Sequence, residues 1–71
     1  MNYSEAEERI KLVSRRNSIT NIPEYRVVLV DEVGAIRVRS GVMDYHQAKS
    51  LRKEWIAMGH PVPGTTEMVA A

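Results

Sequence analysis

Cysteine is absent from this chain of 71 residues. That excludes disulfide staples and thiolate zinc sites, two usual supports of so short a chain. Long apolar runs are absent too. The longest is Val27-Val28-Leu29-Val30, far short of the ~20 residues a membrane span needs. No basic segment leads into an apolar stretch at the N-terminus, so no secretory signal is read and a cytoplasmic, membrane-free protein is expected. Histidine occurs twice and glycine four times, which leaves little material for metal sites or phosphate-cradling loops. Charge of one sign is also lacking: the formal net charge is +1, below what a dedicated nucleic-acid domain carries. Glu5, Glu7 and Glu8 cluster near the start, so the middle and C-terminal half is moderately basic.

What remains is one domain, residues 1–71, with a small core. Ordering costs ~1.5 kcal/mol per residue, and burial in so short a chain only narrowly offsets it. Good packing or a second subunit must make up the difference, so a homodimer is among the expected states.

Three segments carry structure signals. At the N-terminus, Ser4 and Glu7 have capping-box spacing, and Tyr3, Ala6, Ile10 and Val13 recur at helical intervals. Glu5–Arg9 and Glu7–Lys11 are favourable i,i+4 pairs, and Arg15-Arg16 suits a helix C-terminus. A helix is predicted there, stopping at Asn17, with Ser18 to Pro23 as a linker.

A β-hairpin is predicted next. Glu24 to Val30 is rich in β-branched residues and Ala35 to Ser40 alternates. Between them Asp31-Glu32-Val33-Gly34 suits a type I turn closed by a left-handed glycine. The expected register sets Val30 opposite Ile36, Leu29 opposite Arg37, Val28 opposite Val38 and Val27 opposite Arg39. One face then holds Val28, Val30, Ile36 and Val38; the other mixes Tyr25, Val27 and Leu29 with Arg37 and Arg39.

In the third segment, Asp44 and Gln47 form another capping box, and Ala48, Leu51, Trp55 and Met58 make an apolar stripe that Tyr45 extends. Gly59 is a helix stop, with Pro61 after it. Thr65 to Val69 offers a short further strand, or residues 65–71 fray. The predicted class is therefore α+β, in the order α-β-β-α-β, with Val28, Val30, Ile36, Val38, Leu51 and Trp55 as the shared core.

Catalytic chemistry does not assemble from these residues. His46 and His60 flank the second helix, roughly 20 Å apart at ~1.5 Å per residue, and cannot share a metal ion. Ser4, Ser14, Ser18, Ser40 and Ser50 are scattered with no base placed beside them. Asp31-Glu32 sits at a solvated hairpin tip where nothing would split the pKa values. The expectation is a non-enzymatic protein with no cofactor.

Two binding roles remain. For a protein partner, Tyr25, Val27 and Leu29 beside Arg37 and Arg39 would make an apolar patch rimmed by arginine, unless the first helix covers it. Replacing Leu29 by Asp should then break a dimer. For duplex DNA, a two-stranded ribbon could offer Arg26, Arg37 and Arg39 to base edges, with Lys49, Arg52 and Lys53 on phosphates. Here Arg39-Ser40-Gly41-Val42-Met43-Asp44, followed by Gln47-Ala48, resembles the step from strands into an Ala-bearing helix of the integrase arm-binding and plant ethylene-response domains. That resemblance covers less than half of the chain. It implies DNA binding and three strands before the helix, where the sequence yields two, and no functional residue is carried over from it. Charge and composition favour a protein partner, with DNA as the alternative. By analogy of size this is the accessory type of protein common in phages and mobile elements.

Overall fold

The computed structural model describes residues 7–67. It is an antiparallel sheet of four strands in the order β1-β2-β3-β4, with one long helix packed on a single face. The strands are β1 (Ile10–Arg16), β2 (Pro23–Val30), β3 (Ile36–Ser40) and β4 (Thr66–Glu67); helix α1 (Tyr45–Met58) lies between β3 and β4. The predicted α+β class and the helix-on-sheet layering are present. So is the short C-terminal strand, of which Met68 and Val69 lie outside the described residues.

Helix α1 follows its sequence signals. The Asp44 side chain accepts from the Gln47 backbone N–H at 2.8 Å, and the Gln47 side chain accepts in return from the Asp44 N–H at 3.4 Å. Gly59 stops the helix in the left-handed conformation, φ 76°, its N–H reaching the Trp55 and Ile56 carbonyls. Ala48, Leu51, Trp55 and Ile56 are buried; Met58, expected in that stripe, is half exposed and Ile56 takes its place. A stripe leaning to i+8 rather than i+10 is the ordinary drift of a 3.6-residue period. Asp44→Ala removes the acceptor for an orphan N–H of the first turn and is expected to cost about 1 kcal/mol, read as a lower urea midpoint with an unchanged m-value.

The Asp31–Gly34 turn also forms as its residues dictate. Gly34 N–H donates to the Asp31 carbonyl at 3.0 Å. The Asp31 carboxylate accepts from the N–H groups of Val33 and Ala35 at 3.0 and 2.9 Å, and Gly34 has φ 85°.

The N-terminal segment departs from its reading. Residues 7–9 are helical, but the helix ends there, and Ile10–Arg16 is the strand β1. The capping residue Ser4, with Tyr3, Glu5 and Ala6, lies outside the described residues, so the Ser4–Glu7 capping box does too. The whole of β1 pairs along β2, from Ile10 opposite Leu29 to Arg16 opposite Pro23. The ladder hydrogen bonds and burial gained there outweigh the weak local preference for helix. Asn17 is thus no helix stop. Its side-chain oxygen accepts from the N–H groups of Ile19 and Thr20 at 2.8 and 3.1 Å, organising the β1–β2 connection. The expected linker is a hairpin loop, and Pro23 opens β2, where a strand tolerates proline.

The β2–β3 register corrects a second expectation. Val30 does lie opposite Ile36, but Leu29 pairs with Val38 and Val28 with Arg39. Arg37 is the extra residue of a β-bulge. Past it every β3 side chain changes face, so Val38 joins Leu29 and Arg39 joins Val28. The core is therefore the side that holds Ile10, Val27, Ala48, Leu51, Trp55 and Ile56, with Leu12, Tyr25, Leu29 and Val38 packed against it. Of the expected core, Leu51 and Trp55 are in this cluster and Val38 at its margin. Val28 is buried but belongs to the other face, Val30 is half buried, and Ile36 is 47% exposed.

Ser40 shows how the sheet tolerates the irregularity beyond the bulge. It is the one polar residue buried among those described. Its hydroxyl accepts from the Val27 N–H at 2.9 Å and donates to the Gly41 carbonyl at 2.9 Å. The strand then jumps Gly41 and Val42 to pair Met43 with Tyr25.

Candidate interaction face

With α1 on one side, the register defines what lies on the other. Lys11 pairs with Val28, Val13 with Arg26 and Arg15 with Glu24. Val28 pairs with Arg39, and Arg39 with Glu67. Among the described residues no element packs over this face. It forms a shallow groove of about 430 Å³ lined by Val13, Arg15, Arg26, Val28, Ile36 and Arg39, closed at one end by the loop that carries Ile19. Val13 is 37% exposed, whereas Val28 beneath it is fully covered. Half-buried arginines commonly lay apolar stems over such a residue while the heads stay outside.

The expected site residues therefore divide. Tyr25, Val27 and Leu29, named as an exposed patch, face α1. Val27 has no exposure at all, and Tyr25 stacks edge-on against Tyr45 with ring centroids 5.4 Å apart. They are consumed by the fold and are not free to meet a partner. The physical reason is the helix: it covers the mixed face because the third strand and the bulge make that face the more apolar one. Arg26 and Arg39 are on the open face, and Arg37 is exposed at the bulge.

The helix cations do not join them. Arg52 turns inward: Nε donates to the Ile10 carbonyl at 3.0 Å and Nη2 to the Glu7 carbonyl at 3.4 Å. It binds the carbonyls where the N-terminal helix gives way to β1, so part of its guanidinium is already engaged within the fold. Lys49 and Lys53 are exposed, but on the helix, with the sheet between them and Arg26 and Arg39. The sequence reading joins these two groups in one contact surface, whereas the fold puts one on the helix and the other on the open sheet face.

Sequence reading missed Lys11, Val13, Arg15 and Glu67. The signal for the first three is the alternation of Ile10, Leu12 and Ser14 with Lys11, Val13 and Arg15, a period of two hidden under the helical spacing of Ile10 and Val13.

Glu67 is the electrostatic centre of the face. Arg26 Nη1 forms a short charge-assisted bond to its Oε2 and also donates to the Ser40 carbonyl at 2.9 Å. Arg39 Nε lies 3.5 Å from the same Oε2. That is within ion-pair range but outside hydrogen-bond alignment, so Nε is a buried donor with no acceptor. The Arg26 hydrogen bond holds the Glu67 carboxyl below its ordinary range; desolvation pulls the other way, and the charges of Arg26 and Arg39 add to the lowering. Any support it gives is complete at neutral pH and is lost as pH falls through the lowered value. In an NMR pH titration Glu67 is expected to titrate below the ordinary glutamate range, with the β4 amides losing exchange protection in the same step and the β1–β2 amides unaffected. Glu67→Gln should abolish that step.

Comparison with known protein families, with curated proteins and with solved structures finds no match for this chain.

Proposed function

We propose that this is a non-enzymatic interaction protein that binds a protein partner through the open face of its sheet. The observation that carries the reading is the composition of that face: exposed Val13 and Ile36 beside Lys11, Arg15, Arg26 and Arg39, uncovered among the described residues. Apolar groups interleaved with arginine are the usual make-up of a protein interface, and the excess of cations over Glu24 and Glu67 favours an acidic partner.

Duplex DNA is the second reading, favoured by one observation: three strands precede the helix, the number that the resemblance to the integrase arm-binding and ethylene-response domains implies. The net charge of +1 and the separation of Lys49 and Lys53 from the sheet arginines count against it.

Site-directed photocrosslinking separates the readings. A photoreactive residue at position 13 is expected to give a discrete protein adduct in extract of the cells that express the chain, and one at position 53 none. Equal adducts from both positions would sink the face assignment. Tight duplex binding, weakening with salt by about −0.9 in log–log slope per phosphate and flattened by replacing Arg26 and Arg39, would give the face to DNA. A dimer in light scattering that Ile36→Asp dissolves would give it to a second copy of this chain.

A further inference from the structure

We propose that the β1–β2 hairpin tip, residues 17–22, is a rigid anchor that seats Ile19 in an apolar pocket of a partner protein, with Arg15 meeting carboxylates on the rim of that pocket. The inference rests on the reading of a protein partner and names what that partner presents.

A single apolar side chain on a surface carries no meaning by itself. Ile19 does not stand alone. It is 92% exposed, Ile22 on the same loop is 61% exposed, and the loop closes one end of the open-face groove. Val33, on the tip of the other hairpin, is 88% exposed as well. It follows Asp31 and Glu32 and does not line that groove.

The tip is held in one shape. The N–H groups of Ile19 and Thr20 are bound by the Asn17 side chain. Asn21 N–H donates to the Asn17 carbonyl at 2.8 Å, and Asn17 N–H to the Ile22 carbonyl at 3.0 Å. Ile22 N–H reaches Thr20 Oγ1 at 3.3 Å, and Arg16 Nη1 donates to the Asn21 carbonyl at 2.8 Å. Asn21 has φ 58°, a left-handed conformation that asparagine tolerates better than most residues. The polar groups of the loop are thus largely engaged with one another. What the loop offers outward is the side chain of Ile19.

A fixed protrusion matches a fixed cavity. Preorganised loops lose little freedom on docking, and the strongest anchors at interfaces are side chains seated in desolvated pockets. A bilayer surface asks for apolar area and not for shape, and Ile19 with Ile22 supplies little of it. Charge sets the rim. Arg15 is exposed on the open face at the foot of the loop, with Arg26 and Arg39 further along the groove. The anion opposite Arg15 is Glu24, which already accepts from Asn17 Nδ2 at 3.2 Å. The partner's pocket therefore carries aspartate or glutamate on the side that meets Arg15.

The test uses the full chain and the protein identified by its adduct at position 13, purified, with binding read by titration calorimetry. Ile19→Ala is expected to bind about thirtyfold more weakly, the loss that comes with leaving most of an isoleucine side chain out of its pocket. Its urea midpoint should match wild type, because Ile19 is exposed in the free chain. Val33→Ala should bind as wild type does. Asn17→Ala keeps Ile19 but loosens the loop, and should weaken binding severalfold in a chain that circular dichroism shows to be folded. A photoreactive residue at position 19 should label the same protein, at a segment that includes aspartate or glutamate. Arg15→Glu should weaken binding and reduce its sensitivity to salt.

Unchanged affinity in Ile19→Ala, while position 13 still crosslinks, removes the anchor and leaves the face reading standing. An equal loss in Val33→Ala shows general stickiness and overturns the anchor. Phosphatidylserine vesicles that sediment with wild type but not with Ile19→Ala give the tip to a membrane and overturn the pocket. Absence of any adduct at position 13 overturns the face reading and the anchor together.

Discussion

Trp55→Ala is expected to leave little folded protein. Trp55 is fully buried at the centre of the α1–sheet contact, and its indole N–H donates to Thr65 Oγ1 at 3.2 Å. Truncating a buried aromatic side chain to alanine costs about 3–5 kcal/mol. Domains hold about 0.05–0.15 kcal/mol per residue, so a chain of 71 residues has roughly 4–11 kcal/mol in all. The loss is therefore comparable with the whole. Urea unfolding followed by circular dichroism should show a midpoint near zero denaturant or no transition. Trp55→Phe keeps most of the packing and drops the Thr65 bond, which contributes about 1 kcal/mol, and should unfold at an intermediate midpoint. A Trp55→Ala protein with a near wild-type midpoint would show that α1 is not what holds the sheet.

The second large effect concerns which side of the sheet is the core. Val27→Asp places an ionised carboxylate where there is no exposure and no cation on the same face of β2, at an effective penalty of several kcal/mol. It is expected to unfold the protein. Ile36→Asp puts the same charge on the open face, where exposed substitutions usually stay within about 0.5 kcal/mol, and should fold normally while losing partner binding. Opposite ranking in urea midpoints would invert the assignment of faces. Leu29→Asp belongs with Val27→Asp, because Leu29 packs against the helix cluster. Loss of a dimer in that variant would report unfolding, not a disrupted interface.

How far these faces could be read beforehand differs element by element. Helix α1 was legible because its ends are chemically marked: Asp44 and Gln47 satisfy orphan donors and Gly59 supplies the left-handed stop, all within a few residues. The Asp31–Gly34 turn was legible for the same reason. Strand β1 was not. Its residues satisfy both a helical and an alternating spacing, the acidic run before it favours helix locally, and the partner that decides the matter is β2, beyond a loop. Propensity yields to a full ladder of cross-strand pairs. The bulge at Arg37 leaves no local mark either, since arginine has no special backbone preference and the shift is visible only in the pairing.

The candidate site inherited both gaps. Arg26 and Arg39 could be singled out as charged residues within strand patterns. Their apolar neighbours were assigned from the wrong side, because face membership depends on a third strand and on one inserted residue. Glu67 could not be connected to them, since Thr65 to Val69 has no apolar–polar alternation from which to infer its register.

The bulge leads further. Every cross-strand pair on either side of Arg37 would survive its deletion, because Ile36 and Val38 already face consecutive residues of β2. Arg37 is therefore dispensable for pairing, and its contribution is to shape. An inserted residue tightens the local twist of its strand and bends β3 between Ile36 and Val38. Two homologous chains differing only by a one-residue gap here would share a core and an alignment, yet present differently curved rims to whatever they meet. In such a lineage, recognition could diverge by insertion and deletion while the buried residues stayed the same.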